Sequence, residues 1–169
     1  MENSGTLKVT TQGDREIVMG RVFEAPRSLV FDAWTKPELL KRWLGAPDWP
    51  LVVCDIDLKV GGASRFVWRR ENGSEMGMRD VYREIVPPER LVTTELFDDP
   101  WYPGEGLVTT VLIEQGGKTA ATTKVRYESR EARDGVLKTP MTRGIGASYD
   151  RLAELLASLL ARGDARGGA

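Results

Sequence analysis

The sequence contains no histidine and a single cysteine, Cys54. The first absence removes Ser-His-Asp and Cys-His catalysis, histidine general bases and histidine metal ligands. The second excludes an intramolecular disulfide, and one thiolate among scattered carboxylates is a poor start for a zinc site. Charge of one sign is also lacking. Lys and Arg number 24 against 25 Asp and Glu, a net charge of -1, so electrostatics give no reason to expect a nucleic-acid partner or an anionic membrane. No apolar run approaches the roughly 20 residues that span a bilayer, and Met1–Asp14 is too polar for a secretory signal. A cytoplasmic location is the expectation. Cofactor motifs are missing as well: Gly104-Glu105-Gly106 and Gly144-Ile145-Gly146 lack the strand, glycine turn and helix of a nucleotide site. Chemistry here has to rest on carboxylates, Lys, Tyr, Arg or bound water, without metal or cofactor.

What the sequence does carry is a long amphipathic helix near its end. From roughly Thr139 to Ala161, the residues Met141, Ile145, Ser148, Tyr149, Leu152, Leu155, Leu156 and Leu159 recur at helical steps on one face. Thr139 can cap the start, Pro140 fits the first turn, and Gly163 lies where a helix stops. Its two halves differ: Gly144, Gly146, Ala147 and Ser148 crowd the first, leucines the second. Glycines inside a helix cost about 1 kcal/mol each against alanine. Something should compensate for them, and the expectation is that the small half roofs a cavity while the leucine half plugs a core.

A chain of 169 residues suits one domain with a real core. The expected division is a flexible segment over 1–14, a domain over 15–161 and a disordered tail over 162–169. Within the first segment Leu7-Lys8-Val9 has the makings of an edge strand. Glu16–Phe23 reads as the first strand proper, followed by short helices led by Pro26 and Pro37. From Leu51 the period changes to two. Cys54, Ile56 and Leu58 alternate with Asp55, Asp57 and Lys59, and further strands follow at Ala63–Arg69, Met76–Val86, Leu91–Leu96, Leu107–Ile113 and Thr119–Tyr127. Asp98–Gly106 is a long loop holding Trp101 and Tyr102, and Ser129–Leu137 reads as a polar connector. Consecutive hairpins make an antiparallel sheet of about seven strands with one face in need of cover, and the last helix is the element long enough to cover it.

Several stretches carry a family resemblance: Arg21-Val22-Phe23-Glu24-Ala25-Pro26, Val30-Phe31-Asp32-Ala33-Trp34 with Pro37-Glu38-Leu39, Asp57–Gly62, Tyr82–Leu91 and Ser148–Leu152. Together, from Glu16 to Leu160, they resemble the START-like (SRPBCC) helix-grip superfamily of the birch-pollen-allergen fold. Within it they are most similar to the branch of the calicheamicin self-resistance protein and the activator of heat-shock protein 90 ATPase. The resemblance implies an α+β helix-grip fold, a curved antiparallel sheet wrapped on a long C-terminal helix, with an apolar cavity between them. It does not imply one chemistry. Two positions depart from the pattern: Trp43-Leu44-Gly45-Ala46 stands where relatives often have Trp-Trp-Gly-Pro, and Asp80 stands where they often have glycine.

Strand parity and helix face select the candidate ligand-lining residues. Phe66, Trp68, Tyr82, Met141, Ile145 and Tyr149 are candidates for a cavity wall, with Trp43 near the mouth; ordinary core packing is the competing reading for each. The family's pattern turns Val108 and Thr110 inward, and the exposed Lys124 and Arg126 put Thr123 on the inner face with Val125 and Tyr127. Threonines among apolar neighbours can orient a ligand, or simply reflect strand propensity. Met78, Asp80 and Tyr82 share a parity, and Glu95 lies on the next strand with its facing open. A buried Asp80–Glu95 pair could do acid–base work; solvation, or pairing with Arg65, Arg79 or Arg83, is the alternative. Ser148 completes the set, and no residue is assigned as catalytic.

The leading expectation is a cofactor-free, non-catalytic binder of a small hydrophobic or aromatic molecule. Two alternatives stand beside it: a protein-interaction module that regulates a heat-shock chaperone ATPase, and an enzyme acting through Asp80, Glu95 or Tyr82. Val111 and Ile113 fall on the outer parity, leaving monomer and homodimer both open.

Overall fold

Alternation of apolar and polar residues builds a single eight-stranded antiparallel sheet. In the computed structural model, which describes residues 7–100 and 104–164, the strands are β1 (Lys8–Gln12), β2 (Glu16–Phe23), β3 (Leu51–Ile56), β4 (Ala63–Arg69), β5 (Glu75–Val86), β6 (Arg90–Phe97), β7 (Gly106–Gln115) and β8 (Lys118–Arg126). Their spatial order is β1-β2-β8-β7-β6-β5-β4-β3, so every neighbouring pair except β2 and β8 is consecutive in sequence. Helices α1 (Arg27–Thr35) and α2 (Pro37–Trp43) join β2 to β3, while α3 (Arg130–Leu137) and α4 (Met141–Asp164) follow β8. This is the α+β helix-grip architecture expected from the resemblance.

Period two decides which sheet face is covered. On β8, Thr119, Ala121, Thr123 and Val125 are buried, while Lys118, Thr122 and Arg126 are exposed. On β7, Thr110 and Leu112 are buried, while Leu107 and Ile113 stay exposed on the other side. The inner face takes α4 across it. Leu152, Leu155 and Leu156 of α4 join Phe23, Val30, Leu40, Phe66 and Tyr82 in one core cluster. A second, smaller cluster of Ile17, Met19, Val125 and Tyr127 packs with Ala132 and Val136 of α3, and Met141 and Ile145 of α4 border it.

Four local features differ from the sequence expectation. The edge strand suggested by Leu7-Lys8-Val9 forms as β1 over Lys8–Gln12, within a segment otherwise expected to be loose, and raises the strand count to eight. It is polar and lies at the sheet edge, held by backbone pairing such as Val9 to Met19 rather than by side-chain burial. The polar connector is helix α3. Its cap is Ser129, whose Oγ accepts from Ala132 N at 3.0 Å, and its turns are anchored by Ala132, Arg133 and Val136. Helix α4 begins at Met141, whose backbone N–H donates to Thr139 Oγ1 at 3.3 Å. It continues to Asp164, past the expected end at Ala161. Trp101 and Tyr102, residues 1–6 of the N-terminal segment and residues 165–169 lie outside the described residues.

Candidate ligand-binding site

Directly paired residues on neighbouring strands point to the same face, so the register turns the inner face into rows. One row runs Ser64, Asp80, Glu95 and Gly106 across β4 to β7. Continuing the β7–β8 register by one residue, from Leu107 opposite Arg126, brings Tyr127 next to Gly106. Gly106 leaves room for this approach: a Cβ there would sit 3.3 Å from Val125 Cγ1 and 3.9 Å from Glu95 Cβ. The next row is Tyr82, Thr93, Val108, Val125 and Ile17, and the one beyond it is Leu91, Thr110, Thr123 and Met19. On the other flank Phe66, Met78 and Phe97 form an apolar row.

The register therefore settles the facing of both carboxylates: Asp80 and Glu95 are opposed on the inner face. Burial pushes Asp80 well above the ordinary carboxylate range, and the neighbouring Glu95 charge pushes it further. Burial alone does the same to Glu95. The basic residues considered as partners do not reach them. Arg65 pairs with Asp98 on the opposite face through hydrogen bonds of 2.7 and 2.6 Å, and those bonds hold the Asp98 carboxyl below its usual range. Arg79 and Arg83 are exposed. Asp80 Oδ1 is sealed from solvent with no hydrogen-bond partner among the described residues, and Ser64 Oγ is sealed with only the Tyr82 phenol against it. Burial raises Tyr82 above the usual phenol range, partly offset by the Ser64 hydroxyl beside it. Burial and the Glu95 charge raise Tyr127 as well. Both phenols are neutral donors at physiological pH.

The remaining candidates fall into two groups. Thr110, Thr123 and Tyr149 form a buried hydroxyl series, with Oγ1 to Oγ1 and Oγ1 to phenol oxygen contacts of 3.5 Å each. Met78 is buried on the inner face, and Met141, Ile145 and Val108 are half-buried at the smaller cluster. Trp43, Trp68 and Ser148 are engaged in structural ties instead. Trp43, expected near a cavity mouth, is 1% exposed. Its indole N–H donates to Ala33 O at 2.8 Å, pinning α2 to α1, and its ring packs on Trp34 and Tyr149 with centroids 4.9 and 6.1 Å away. The Trp68 indole donates to Leu44 O at 3.2 Å. Ser148 Oγ accepts from Gly45 N and donates to Gly45 O, both at 3.0 Å. Gly45 has a φ of +137°, and a Cβ there would meet Trp49 O at 2.5 Å, so only glycine fits. Cys54 is buried, its thiol pushed up to about 11 by desolvation, and is chemically quiet. Among the described residues no group of Cys, Asp and Glu is arranged to hold a metal ion.

Sequence reasoning missed Ser64, Thr93, Phe97 and Gly106 as members of these rows. Ser64 has the parity of Phe66 and Trp68, which was the available signal. Two concavities lie elsewhere, one of about 460 Å³ beside Pro47, Asp48 and Arg70 and one of about 340 Å³ between Leu29, Leu39 and Leu159. None of the expected site residues lines either.

The family model described as activator of Hsp90 ATPase homolog 1-like protein matches residues 24–157. The chain belongs to that family. The matched segment includes every candidate site residue, from Trp43 to Tyr149, and leaves out β1 and β2. Solved structures agree. A protein of Rhodobacter sphaeroides is 32% identical with a TM-score of 0.85, over 90% of this chain and 98% of its own. Proteins of Nitrosomonas europaea and Mycobacterium smegmatis share the fold at 22% and 21% identity. Their TM-scores are 0.79 and 0.81, each over 89% of this chain and over 99% and 97% of their own. No curated protein matches the sequence significantly.

Proposed function

We propose that this family member binds a small hydrophobic or aromatic molecule on the inner sheet face, beneath the first half of α4, without a cofactor. The observation that carries this reading is a contrast in burial along one face. Leu152, Leu155 and Leu156 close their end of the face completely. Asp80, Thr93, Glu95 and Val108 point to the same face and stay only half-buried, as do Gly144 and Ile145 in the first half of α4. Half-open apolar surface flanked by a few polar groups is what a small-molecule site uses. The test is saturable binding of an environment-sensitive apolar dye to wild type and to Ile145→Trp, whose larger ring would occupy the space. The expected result is a loss of affinity of about tenfold or more, roughly 1.4 kcal/mol, in the variant. Unchanged dye binding in a well-folded Ile145→Trp protein would remove the site from beneath α4.

The family match favours a second reading, regulation of an Hsp90 ATPase through protein–protein contact. Stimulation of a purified Hsp90 ATPase by the chain would support it. Stimulation that survives Ile145→Trp would place the two activities on different surfaces.

A further inference from the structure

We infer that the Asp80–Glu95 row seats an organic cation, a protonated amine carried on the apolar ligand. This rests on the ligand-binding reading above and names the chemistry of its polar end. Two carboxyls are opposed across β5 and β6, and among the described residues neither takes part in an ion pair or hydrogen bond given by the structure. The groups beside them are neutral: Ser64 on β4, Tyr82 on β5 and Tyr127 after β8. Arg65, Arg79, Lys124 and Arg126 project to the opposite face by strand parity. Arg21, on the inner face of β2, lies three rows away and pairs with Asp150 at 2.8 Å. Arg133 on α3 is occupied by Asp134 and by the carbonyls of Gly13 and Glu16.

A second observation points to an occupant. Asp80 Oδ1 is sealed from solvent without a hydrogen-bond partner, and the Ser64 hydroxyl beside it in the row, 3% exposed, has only the Tyr82 phenol against it among the described residues. Buried polar atoms are nearly always satisfied. An ammonium group supplies up to three donors and one positive charge, which matches two carboxyls and a hydroxyl acceptor. Phe66, Met78 and Phe97 alongside offer the apolar bed for the rest of the molecule.

Without a cation, burial raises both carboxyls and the Glu95 charge raises Asp80 further, so the pair holds protons further into the neutral range than free carboxyls do. A bound cation favours the ionised forms, so binding near neutral pH releases protons and tightens as pH rises. The experiment is isothermal titration calorimetry of the full chain with 1-naphthylmethylammonium, 1-naphthylmethanol and 1-naphthylacetate at pH 6 and 8.5. At pH 8.5 the ammonium ion is expected to bind about tenfold or more tightly than the alcohol, with a smaller margin at pH 6. Titrations at pH 7 in buffers of different ionisation enthalpy should show proton release for the ammonium ion and none for the alcohol. Asp80→Asn and Glu95→Gln should erase the preference while the alcohol still binds, and the proton-release measurement on wild type does not depend on either variant folding. Equal affinity of alcohol and ammonium ion at pH 8.5, or a preference for naphthylacetate, overturns the cation seat and leaves the apolar-ligand reading standing. Failure of all three to bind overturns both.

Discussion

The two halves of α4 lie on the same sheet and do different things. In the second half, Leu152 is 0% exposed, and Leu155 and Leu156 are as well buried; they interdigitate with side chains of α1, α2 and the sheet in the larger core cluster. In the first half Gly144, Ile145, Gly146 and Ala147 are only half-buried. A Cβ on Gly144 would meet nothing within 4 Å, and one on Gly146 would just reach Leu7 Cδ2 at 4.0 Å. The contacts change along the helix: the leucines pack in the larger core cluster, Tyr149 reaches the Thr123 hydroxyl, and Met141 and Ile145 border the smaller cluster. One end of the grip is built for packing density and the other gives up density for polar groups and access. On the proposed reading, stability and recognition are separated along a single helix.

The harshest test of this contrast removes both halves together. A chain ending at Leu137 loses α4 and bares the inner face, which α1 and α2 are too short to cover. It should be insoluble or lack a cooperative melt; a soluble product with a sharp transition would show that α4 is not what holds the sheet. Single truncations separate the halves. Leu152→Ala should cost about 2–5 kcal/mol in denaturant unfolding, and Ile145→Ala about 1 kcal/mol. Equal costs would erase the distinction.

A pH series sharpens it further. Asp80 and Glu95 bind protons more tightly folded than unfolded, with folded pKa values of about 8 and about 7. Between the unfolded carboxylate range near pH ~4 and those values, the folded state holds the extra protons, so this site's contribution falls as pH rises through the window. Asp80→Asn should therefore stabilise the protein by on the order of 2 kcal/mol at pH 8.5 and change little at pH 5. Melting temperatures measured across the range would show it, and an equal effect at both pH values would contradict it. The smallest effect is expected at Gly144→Ala. With open space at the Cβ position, better helix propensity should raise stability by about 0.5–1 kcal/mol. A loss instead would mean that the small half packs against something.

Much of this was legible beforehand, for identifiable reasons. Amphipathic period marked α4 and its leucine core, and alternation gave Asp80 the parity of Met78 and Tyr82, although its facing stayed open until the register set it opposite Glu95. Glu95 resisted the same treatment. In Leu91-Val92-Thr93-Thr94-Glu95, Val92 and Thr94 are buried although they share the outer parity, so polarity does not alternate and only the register with Asp80 reveals the facing. Strand β1 was hard to read because its side chains contribute little, and α3 because it buries a single stripe of Ala132, Arg133 and Val136 in an otherwise polar segment. Trp43 and Ser148 show a different limit. Their residue types suit a cavity rim, yet their hydrogen bonds go to Ala33 and Gly45, backbone partners that become neighbours only in the folded protein.

The contact between Ser148 and Gly45 has a mechanical consequence. Ser148 stands where the small half of α4 gives way to the leucine half, and it is clasped to Gly45 by two hydrogen bonds. One turn on, Arg151 adds bonds to Gly45 O at 3.0 Å and Arg42 O at 3.1 Å. The helix is thus moored at a point along its length, like a beam on a fulcrum. Tilt of the arm carrying Gly144 and Ile145 is resisted at that pivot, and the leucines beyond it act as counterweight. Any lifting of this arm bends a short stretch of helix, while the core on the far side of the pivot keeps its packing.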